Sequence, residues 1–321
     1  MLAARSERAA DDKVDAMPHS HHRRASLLSR RRFLRMGLAA ATGSLLSSSL
    51  SLSAHSDGAD DQYSGGAGYI IRSVRTNARR ICLTIDDLWS EYYTLQICRE
   101  FHRRNIRLTL FPVGHAVNNN LERPTAAHEN LYPRLRDMGH EFGCHLYTHR
   151  VINGFSVDQL IDEEMEPSLR VMRRALGANF KPVGIRPPYG HVTDELKELS
   201  QRYNTPLILW GLDSQDAICT HQKDVNNCKY PQPSEYAMYS HLRGQAPQSP
   251  FSDKDHCARE CVKEILHSYE SYLRPGSIIL HHALKATLLA LPAIVELLDN
   301  WNMKSIPLSE LLTYSSGSTG A

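Results

Sequence analysis

Two adjacent carboxylates, Asp86 and Asp87, follow a short stretch in which Cys82, Leu83 and Ile85 are typical of a buried strand. Successive strand side chains point to opposite faces, so one carboxylate could bind a metal while its neighbour handles a proton. Alone, such a pair is more often a turn or a helix cap. Other reactive side chains also stand at or just after apolar stretches: His145, His149, Arg186, Tyr189, Asp213, Asp216 and His282. Together they predict a metal-dependent hydrolase site.

The histidines His145 and His149 are four residues apart, in a segment that could be a helix or a loop following a strand. By itself such a pair is usually incidental in a chain with 17 histidines. Adding Asp87 gives a His-His-carboxylate set with open coordination positions, which is typical of a catalytic divalent metal. The ligand types favour zinc, with cobalt or nickel as alternatives.

Strand-like and helix-like segments alternate about seven times, which predicts parallel βαβ units and an α/β fold. Helices are predicted over residues 91–104, within 118–138, and over 157–176, 193–202, 262–273 and 284–301. Pro167 should kink or interrupt the third of these. Each reactive segment ends a predicted strand, and in a parallel barrel these strand ends gather the active site.

The composition, 41% hydrophobic and 22% charged over 321 residues, is that of an ordinary globular protein. Residues 1–54 hold nine basic and four acidic residues, which leaves 28 basic and 31 acidic residues and a net charge of −3 beyond them. No nucleic-acid partner is therefore expected.

The N-terminal segment 1–54 contains consecutive arginines before Phe33 and Leu34, followed by a mildly apolar run rich in Ala, Ser and Leu. This pattern predicts a twin-arginine-type export signal, and hence export machinery as a partner and a periplasmic or extracellular location. A disordered basic tail and a retained anchor are the alternatives. The run holds too many serines for a stable membrane span, and residues 55–77 are predicted to be a flexible linker.

Residues 219–256 show no periodicity and are predicted to be an inserted loop. The last four of the seven cysteines crowd around it: Cys219, Cys228, Cys257 and Cys261. In an oxidising compartment they could form two disulfides in any of three connectivities, and a four-cysteine zinc site is the weaker alternative. Cys82 and Cys98 are predicted to be core thiols.

Five ordered segments resemble the motifs of the polysaccharide deacetylases, the NodB-homology group or carbohydrate esterase family four. The resemblance runs from about residue 78 to 312, within a catalytic domain predicted at 78–315. The segments are Thr84-Ile85-Asp86-Asp87-Leu88, His145-Leu146-Tyr147-Thr148-His149, Arg186-Pro187-Pro188-Tyr189, Asp213-Ser214-Gln215-Asp216-Ala217 and Leu280-His281-His282. The resemblance implies a distorted (β/α) barrel of about seven strands.

The resemblance also implies a role for each position. Asp87, His145 and His149 would hold the metal, and Asp86 would be the general base. His282 would be the general acid, Asp213 would orient His282, and Arg186 would pair with Asp86. The Tyr189 backbone N–H would stabilise the oxyanion. Pro188, Tyr189 and Leu280 would contact the substrate.

Some positions depart from the family pattern. Leu88 replaces Gly, Leu146 replaces Ser or Thr, Ala217 replaces Trp, and Ala283 stands where an acidic residue is common. None is a proposed ligand or proton-transfer residue, so the departures bear on substrate and rate. The resemblance implies removal of N-acetyl groups from a chitin-like or peptidoglycan glycan containing N-acetylglucosamine. An O-acetyl (xylan-type) esterase and a catalytically weak carbohydrate-binding protein are the alternatives.

Overall fold

The computed structural model describes residues 69–217 and 256–314, without the side chains of 256–259. The predicted export segment, residues 55–68 of the predicted linker and nearly all of the predicted insertion lie outside these ranges. So do Cys219, Cys228 and the Cys257 side chain. Cys82 and Cys98 are buried free thiols as predicted, and Cys144 is a third.

Strand β2 lies at the centre of a parallel sheet. The strands in chain order are β1 (Ile70–Ile71), β2 (Arg80–Asp87), β3 (Thr109–Pro112), β4 (Glu141–Phe142), β5 (Leu207–Ile208), β6 (Leu212–Asp213), β7 (Ile278–His282) and β8 (Lys304–Ser305). β3 and β7 flank β2, β4 lies beyond β3, β6 lies beyond β7, and β8 pairs with the start of β2. Every residue of β2 except the first and last is buried, as expected of a parallel strand covered on both faces.

Parallel pairing continues past β4 through isolated bridges. Cys144 pairs with Ile185, and Ile185 pairs with Leu207 of β5. Beyond β5 the chain runs directly into β6, and Gly211 N donates to Ile278 O of β7 at 3.0 Å. The strand order therefore leads from β2 through β4 and β5 back towards β7. This confirms the predicted parallel α/β fold, and its interrupted pairing fits a distorted barrel.

Helices follow most strands, with polar caps where the sequence supplies them. They are α1 (Glu91–Arg103), α2 (Gly114–Glu122), α3 (Leu131–Asp137), α4 (Val157–Gln159), α5 (Glu166–Leu176), α6 (Asp194–Arg202), α7 (His256–Tyr272), α8 (Lys285–Asn300) and α9 (Leu308–Thr313). Ser90 caps α1, Ser156 forms a capping box with Gln159 at α4, and Thr193 caps α6. Among the described residues, no helix has the length and apolarity needed to cross a membrane.

Two segments differ from the sequence predictions, and a third shows the interruption that was predicted. Ile70 and Ile71, inside the predicted linker, form β1 and pair with β5, because an apolar pair can complete the sheet beside it. The domain therefore begins before residue 78. Residues 118–138 were predicted to form one helix, but two helices, α2 and α3, flank a break that contains Pro124. The helix predicted over 157–176 is interrupted, as Pro167 indicated, by a π-helical turn, Leu160–Met165.

Candidate active site

The carboxyl end of β2 places its two carboxylates differently. Asp86 is buried and still in strand register, paired with Phe111 of β3 and His282 of β7. Asp87 has a φ of 69° and Leu88 a φ of 62°, both in the left-handed region. Leu88 adopts this conformation where the motif it resembles has glycine, which has no Cβ penalty there. The turn at Asp87 directs the chain out of the sheet beside the loop that follows β4.

Asp87, His145 and His149 form a cluster of possible ligands whose ligand atoms all lie within 4.8 Å of one another. Asp87 Oδ1 is 3.3 Å from His145 Nε2 and 3.1 Å from His149 Nε2. Although this oxygen is buried, no hydrogen bond of normal geometry reaches it. Electron-rich atoms that converge in this way need a cation or protons between them, so the set fits a divalent metal.

The orientation of His145 supports the same interpretation. His145 Nδ1 lies 2.7 Å from the carbonyl oxygen of Arg186. A carbonyl can only accept, so Nδ1 carries a proton and Nε2 is the nitrogen that faces Asp87, which is the nitrogen a metal-ligating histidine would offer here. Burial raises the pKa of Asp87, but the adjacent His145 and His149 rings outweigh that effect and hold it well below its usual range. The carboxylate is therefore ionised and ready to ligate.

Arg186 and Asp86 form a buried ion pair. Arg186 Nη1 donates to Asp86 Oδ1 at 2.6 Å, and both side chains are almost fully excluded from solvent. The guanidinium also donates to the carbonyls of Ile208 and Leu209, and it lies 4.1 Å from the ring centroid of Phe111. Asp86 Oδ2 is 3.9 Å from His145 Nε2, on the side of the metal-ligand cluster. The pairing predicted between Arg186 and Asp86 is therefore present.

His282 pairs with Asp216, so the prediction that Asp213 orients it is wrong. Asp216 Oδ1 lies 2.8 Å from His282 Nδ1, and Asp216 Oδ2 accepts from the His282 backbone N–H at 2.6 Å and from Thr287 Oγ1 at 2.7 Å. Asp213 Oδ1 instead accepts from the backbone N–H of Gln215 at 2.7 Å. Two residues, Ser214 and Gln215, separate the acids, and the turn they form, with Gln215 at a φ of 66°, leaves Asp216 rather than Asp213 beside the imidazole.

Burial and charge have opposite effects on the pKa of His282. Burial lowers it, but the ionised Asp216 beside the ring outweighs burial and raises the pKa of His282 to about 9. Burial raises the pKa of Asp216, whereas the His282 and His281 rings lower it well below its usual range. For Asp213 burial is the main effect and raises the pKa. His282 is thus a cation at neutral pH, with Nε2–H as its remaining donor.

Exposed aromatic rings flank the metal-ligand cluster. Tyr189 is 61% exposed, has a φ of 59°, and its ring centroid lies 4.7 Å from that of His149. Trp89 is 48% exposed and meets His149 edge-on at 6.5 Å. Pro188 and Leu280, two of the predicted substrate contacts, are buried, so neither side chain offers an exposed surface to a substrate.

Residues 73–208 match the family model described as polysaccharide deacetylase. The match covers 136 of the chain's 321 residues, so over this stretch the chain is similar to the polysaccharide deacetylases. Over 146 residues, 46% of this chain, it is 27% identical to the peptidoglycan-N-acetylglucosamine deacetylase PgdA of Listeria monocytogenes, covering 28% of that protein. It is 25% identical to chitin deacetylase 2 of Saccharomyces cerevisiae over 107 residues, covering 31% of this chain and 33% of the yeast protein. The chain thus spans about a third or less of both relatives.

A solved structure shares the fold of this chain. The chain matches BA3943 of Bacillus anthracis, described as a CE4 family pseudoenzyme, with a TM-score of 0.56 and 21% identity. The match covers 77% of this chain and 69% of that one. This similarity shows that the two chains share an α/β fold.

Sequence reasoning missed the importance of two residues in the domain. Asp216 was recognised as part of a motif, but its spacing from Asp213 does not reveal which acid reaches His282. Glu164 was not noticed, yet it is completely buried beside the loop between the metal-ligand histidines. Glu164 stands four residues after Leu160 and eight before Met172, and both of these residues are buried. At helical spacing this places an acidic residue on the apolar face of a helix, which was the available signal that Glu164 is buried.

Proposed function

We propose that this chain is a metal-dependent hydrolase that removes N-acetyl groups from a glycan containing N-acetylglucosamine, either chitin-like or peptidoglycan. The supporting observation is the convergence of Asp87, His145 and His149 beside Asp86 and His282, which are register partners on β2 and β7. PgdA and the yeast chitin deacetylase are named for such substrates, which supports this substrate class.

Asp87, His145 and His149 would hold the divalent ion, with zinc the first choice on ligand type and cobalt or nickel the alternatives. The ion, when bound, supplies a Lewis acid for the acetyl carbonyl. The buried Arg186 takes up Asp86 Oδ1 and leaves Oδ2 on the side of the cluster. In this proposal Asp86 Oδ2 accepts the proton of the attacking water.

His282 would donate a proton to the leaving nitrogen. Its Nδ1 is held by Asp216, so the acidic proton is the one on Nε2. Amide cleavage expels a poor leaving group unless the nitrogen is protonated, and a His282 pKa of about 9 keeps that proton in place at neutral pH. The Tyr189 backbone N–H would stabilise the oxyanion, while the exposed rings of Tyr189 and Trp89 would face sugar rings.

The test is acetate release by the purified, metal-reconstituted protein. The substrates are N-acetylated chito-oligosaccharides, peptidoglycan and O-acetylated xylan. Activity on the first two that is abolished by a chelator and restored by Zn²⁺, Co²⁺ or Ni²⁺ is expected. Faster turnover of xylan would indicate an O-acetyl esterase. Glycan binding with bound metal and no turnover on any substrate would indicate a catalytically quiet protein like the described pseudoenzyme.

The proposal includes export. Residues 1–54 would act as a twin-arginine-type signal, and Cys219, Cys228, Cys257 and Cys261 would form two disulfides in the oxidising compartment. Replacing Arg31 and Arg32 together by Lys should block the export of a reporter fused after residue 54. Peptide mapping of the exported, non-reduced protein should find these cysteines paired; four free thiols would contradict the disulfides.

A further inference from the structure

Glu164 is an ionisable side chain with no solvent exposure at all. Burying an ionised carboxylate costs several kcal/mol unless its oxygens are fully hydrogen-bonded, so the location of its partners indicates what it does. Its Oε2 accepts from the backbone N–H groups of Tyr147 and Thr148, both at 2.9 Å. Its Oε1 accepts from Thr148 Oγ1 at 2.5 Å and from Arg150 Nε at 2.9 Å.

These donors belong to one short segment, the span that joins His145 to His149 and the residue after it. That span is not a regular helix or strand, because Leu146 has a φ of 58° and His149 a φ of 60°. Such angles cost a non-glycine residue about 1 kcal/mol or more each, and they persist only where the surroundings fix them. The loop therefore needs external support to keep both imidazoles facing Asp87.

The support comes from two sides. On one side the start of α2 donates to the loop: Gly114 N bonds Leu146 O at 2.8 Å, and His115 N bonds Tyr147 O at 2.9 Å. On the other side Glu164 accepts from the loop amides. Carbonyls and amides of the same peptide units are thus held from opposite directions. Leu146, the residue next to His145, is buried and apolar, so its side chain cannot supply either kind of bond.

The π-helical turn Leu160–Met165 is what carries Glu164 to this position. A π turn widens the helix locally, and such turns often occur at functional sites. Glu163 and Glu164 are neighbours in this turn, yet the Glu163 side chain is 44% exposed while Glu164 is fully buried. Both reach Arg150, and Glu164 also accepts from the backbone between the histidines.

We propose that Glu164 is the positioning residue of the metal site: it fixes the backbone between His145 and His149 so that both imidazoles meet Asp87. This inference rests on the proposed metal-dependent function. Glu164→Gln preserves the shape of the side chain but replaces one acceptor oxygen with an NH₂ group facing N–H and O–H donors. Loss of a group that orients metal ligands typically lowers metal affinity by about 10–100-fold, and we expect a loss of that size.

The experiment compares Zn²⁺ affinity, measured by competition with a chromophoric chelator, in the wild type, Glu164→Gln and Glu163→Gln. Hydrogen exchange of the Tyr147 and Thr148 amides is followed in the metal-free proteins, and the visible spectrum of the Co²⁺-loaded proteins reports ligand geometry. Glu164→Gln should weaken Zn²⁺ binding, accelerate exchange at both amides and alter the Co²⁺ spectrum. Glu163→Gln, which removes only an exposed partner of Arg150, should change none of the three.

Leu199→Ala separates positioning from general destabilisation, since Leu199 is buried in the same hydrophobic cluster as Leu146 but is not one of the proposed ligands. It should lower the melting temperature and leave Zn²⁺ affinity unchanged. If Glu164→Gln does not fold, Thr148→Val removes one donor to Glu164 and should give a smaller loss of Zn²⁺ affinity.

Unchanged Zn²⁺ affinity and amide exchange in Glu164→Gln, or equal losses of affinity in Leu199→Ala, would overturn the inference. A wild type that binds no divalent metal would instead refute the proposed function, while the exchange data would still report on the loop.

Discussion

Asp216 hydrogen-bonds His282 at two points: its Oδ1 lies 2.8 Å from the ring Nδ1, and its Oδ2 lies 2.6 Å from the backbone nitrogen. This arrangement fixes both the orientation of the imidazole and its tautomer, so that Nε2–H is directed away from Asp216. The same carboxylate is the main reason that the pKa of His282 is raised to about 9 in spite of burial. The pH dependence of the reaction should therefore depend on Asp216.

Asp216→Asn should shift the alkaline limb of the kcat/KM profile to lower pH. The proposed acid works in its protonated form, so activity falls as the pH rises through the pKa of His282. Removing the neighbouring negative charge lowers the pKa of His282, so the loss of activity begins at a lower pH. The measurement is a pH–rate profile on N-acetylated oligosaccharide. Asp213→Asn should leave the position of the limb unchanged, and a limb moved by Asp213→Asn but not by Asp216→Asn would contradict the pairing.

Stability should also depend on His282. Its pKa is raised from the ordinary 6.5 to about 9 in the folded protein. The protonated ring therefore stabilises the fold fully below about pH 6.5, and this contribution is lost as the pH rises through about 9. Melting temperatures of the metal-free protein between pH 6 and 10 should decline across that window. The decline should be smaller in His282→Gln; an identical decline would assign the effect to another group.

Asp86 and Asp87 should separate metal binding from proton transfer. Asp86→Asn keeps Asp87, His145 and His149 in place, so the metal content measured by plasma emission should persist while acetate release is lost. Asp87→Ala removes a ligand and should abolish both. Asp137→Asn, which replaces an exposed carboxylate, is the matched control and should change neither the metal content nor the acetate release. Retained activity in Asp86→Asn would exclude Asp86 as the base.

Arg186→Met should be strongly destabilising. The substitution leaves the Asp86 carboxylate buried without its partner, which typically costs about 3–5 kcal/mol in the free energy of unfolding. It also removes the bonds from the guanidinium to the carbonyls of Ile208 and Leu209. Urea denaturation measures the change. Arg202→Met, in an exposed i,i+4 pair with Glu198, should lower the free energy of unfolding far less, because solvent screens an exposed ion pair. Similar losses of unfolding free energy for both substitutions would show that the buried Arg186–Asp86 pair stabilises the fold no more than an exposed pair does.

Trp89→Ala should raise KM for polymeric substrate more than it lowers kcat. The ring is exposed beside His149 and outside the proposed ligand and proton-transfer residues, so its loss removes stacking area for a sugar and no reacting group. Steady-state kinetics on oligosaccharides of increasing length provide the measurement. Tyr272→Ala is the control, since this exposed tyrosine precedes β7 and lies at the opposite end of the strands. A change in kcat alone would contradict a binding role for Trp89.

The alternation of strands and helices was predictable because apolar periodicity is a local property of the sequence. The parallel α/β fold, the helices α1 and α6 with their caps, and the interruption at Pro167 all follow from residue types at short range. The short strand β1 was not predictable, since Ile70 and Ile71 become a strand only through pairing with β5.

By itself, the sequence determined which groups are the candidates for the proposed chemistry: the motif residues Asp86, Asp87, His145, His149 and His282 are fixed by type and order along the chain. The tertiary structure alone decided which acid reaches His282 and what supports the histidine loop. Asp216 rather than Asp213, and Glu164 on its π turn, take these places because hydrogen bonds depend on directions and distances of a few ångströms. Such directions are set by the turns and by packing between distant segments, which local sequence patterns do not encode.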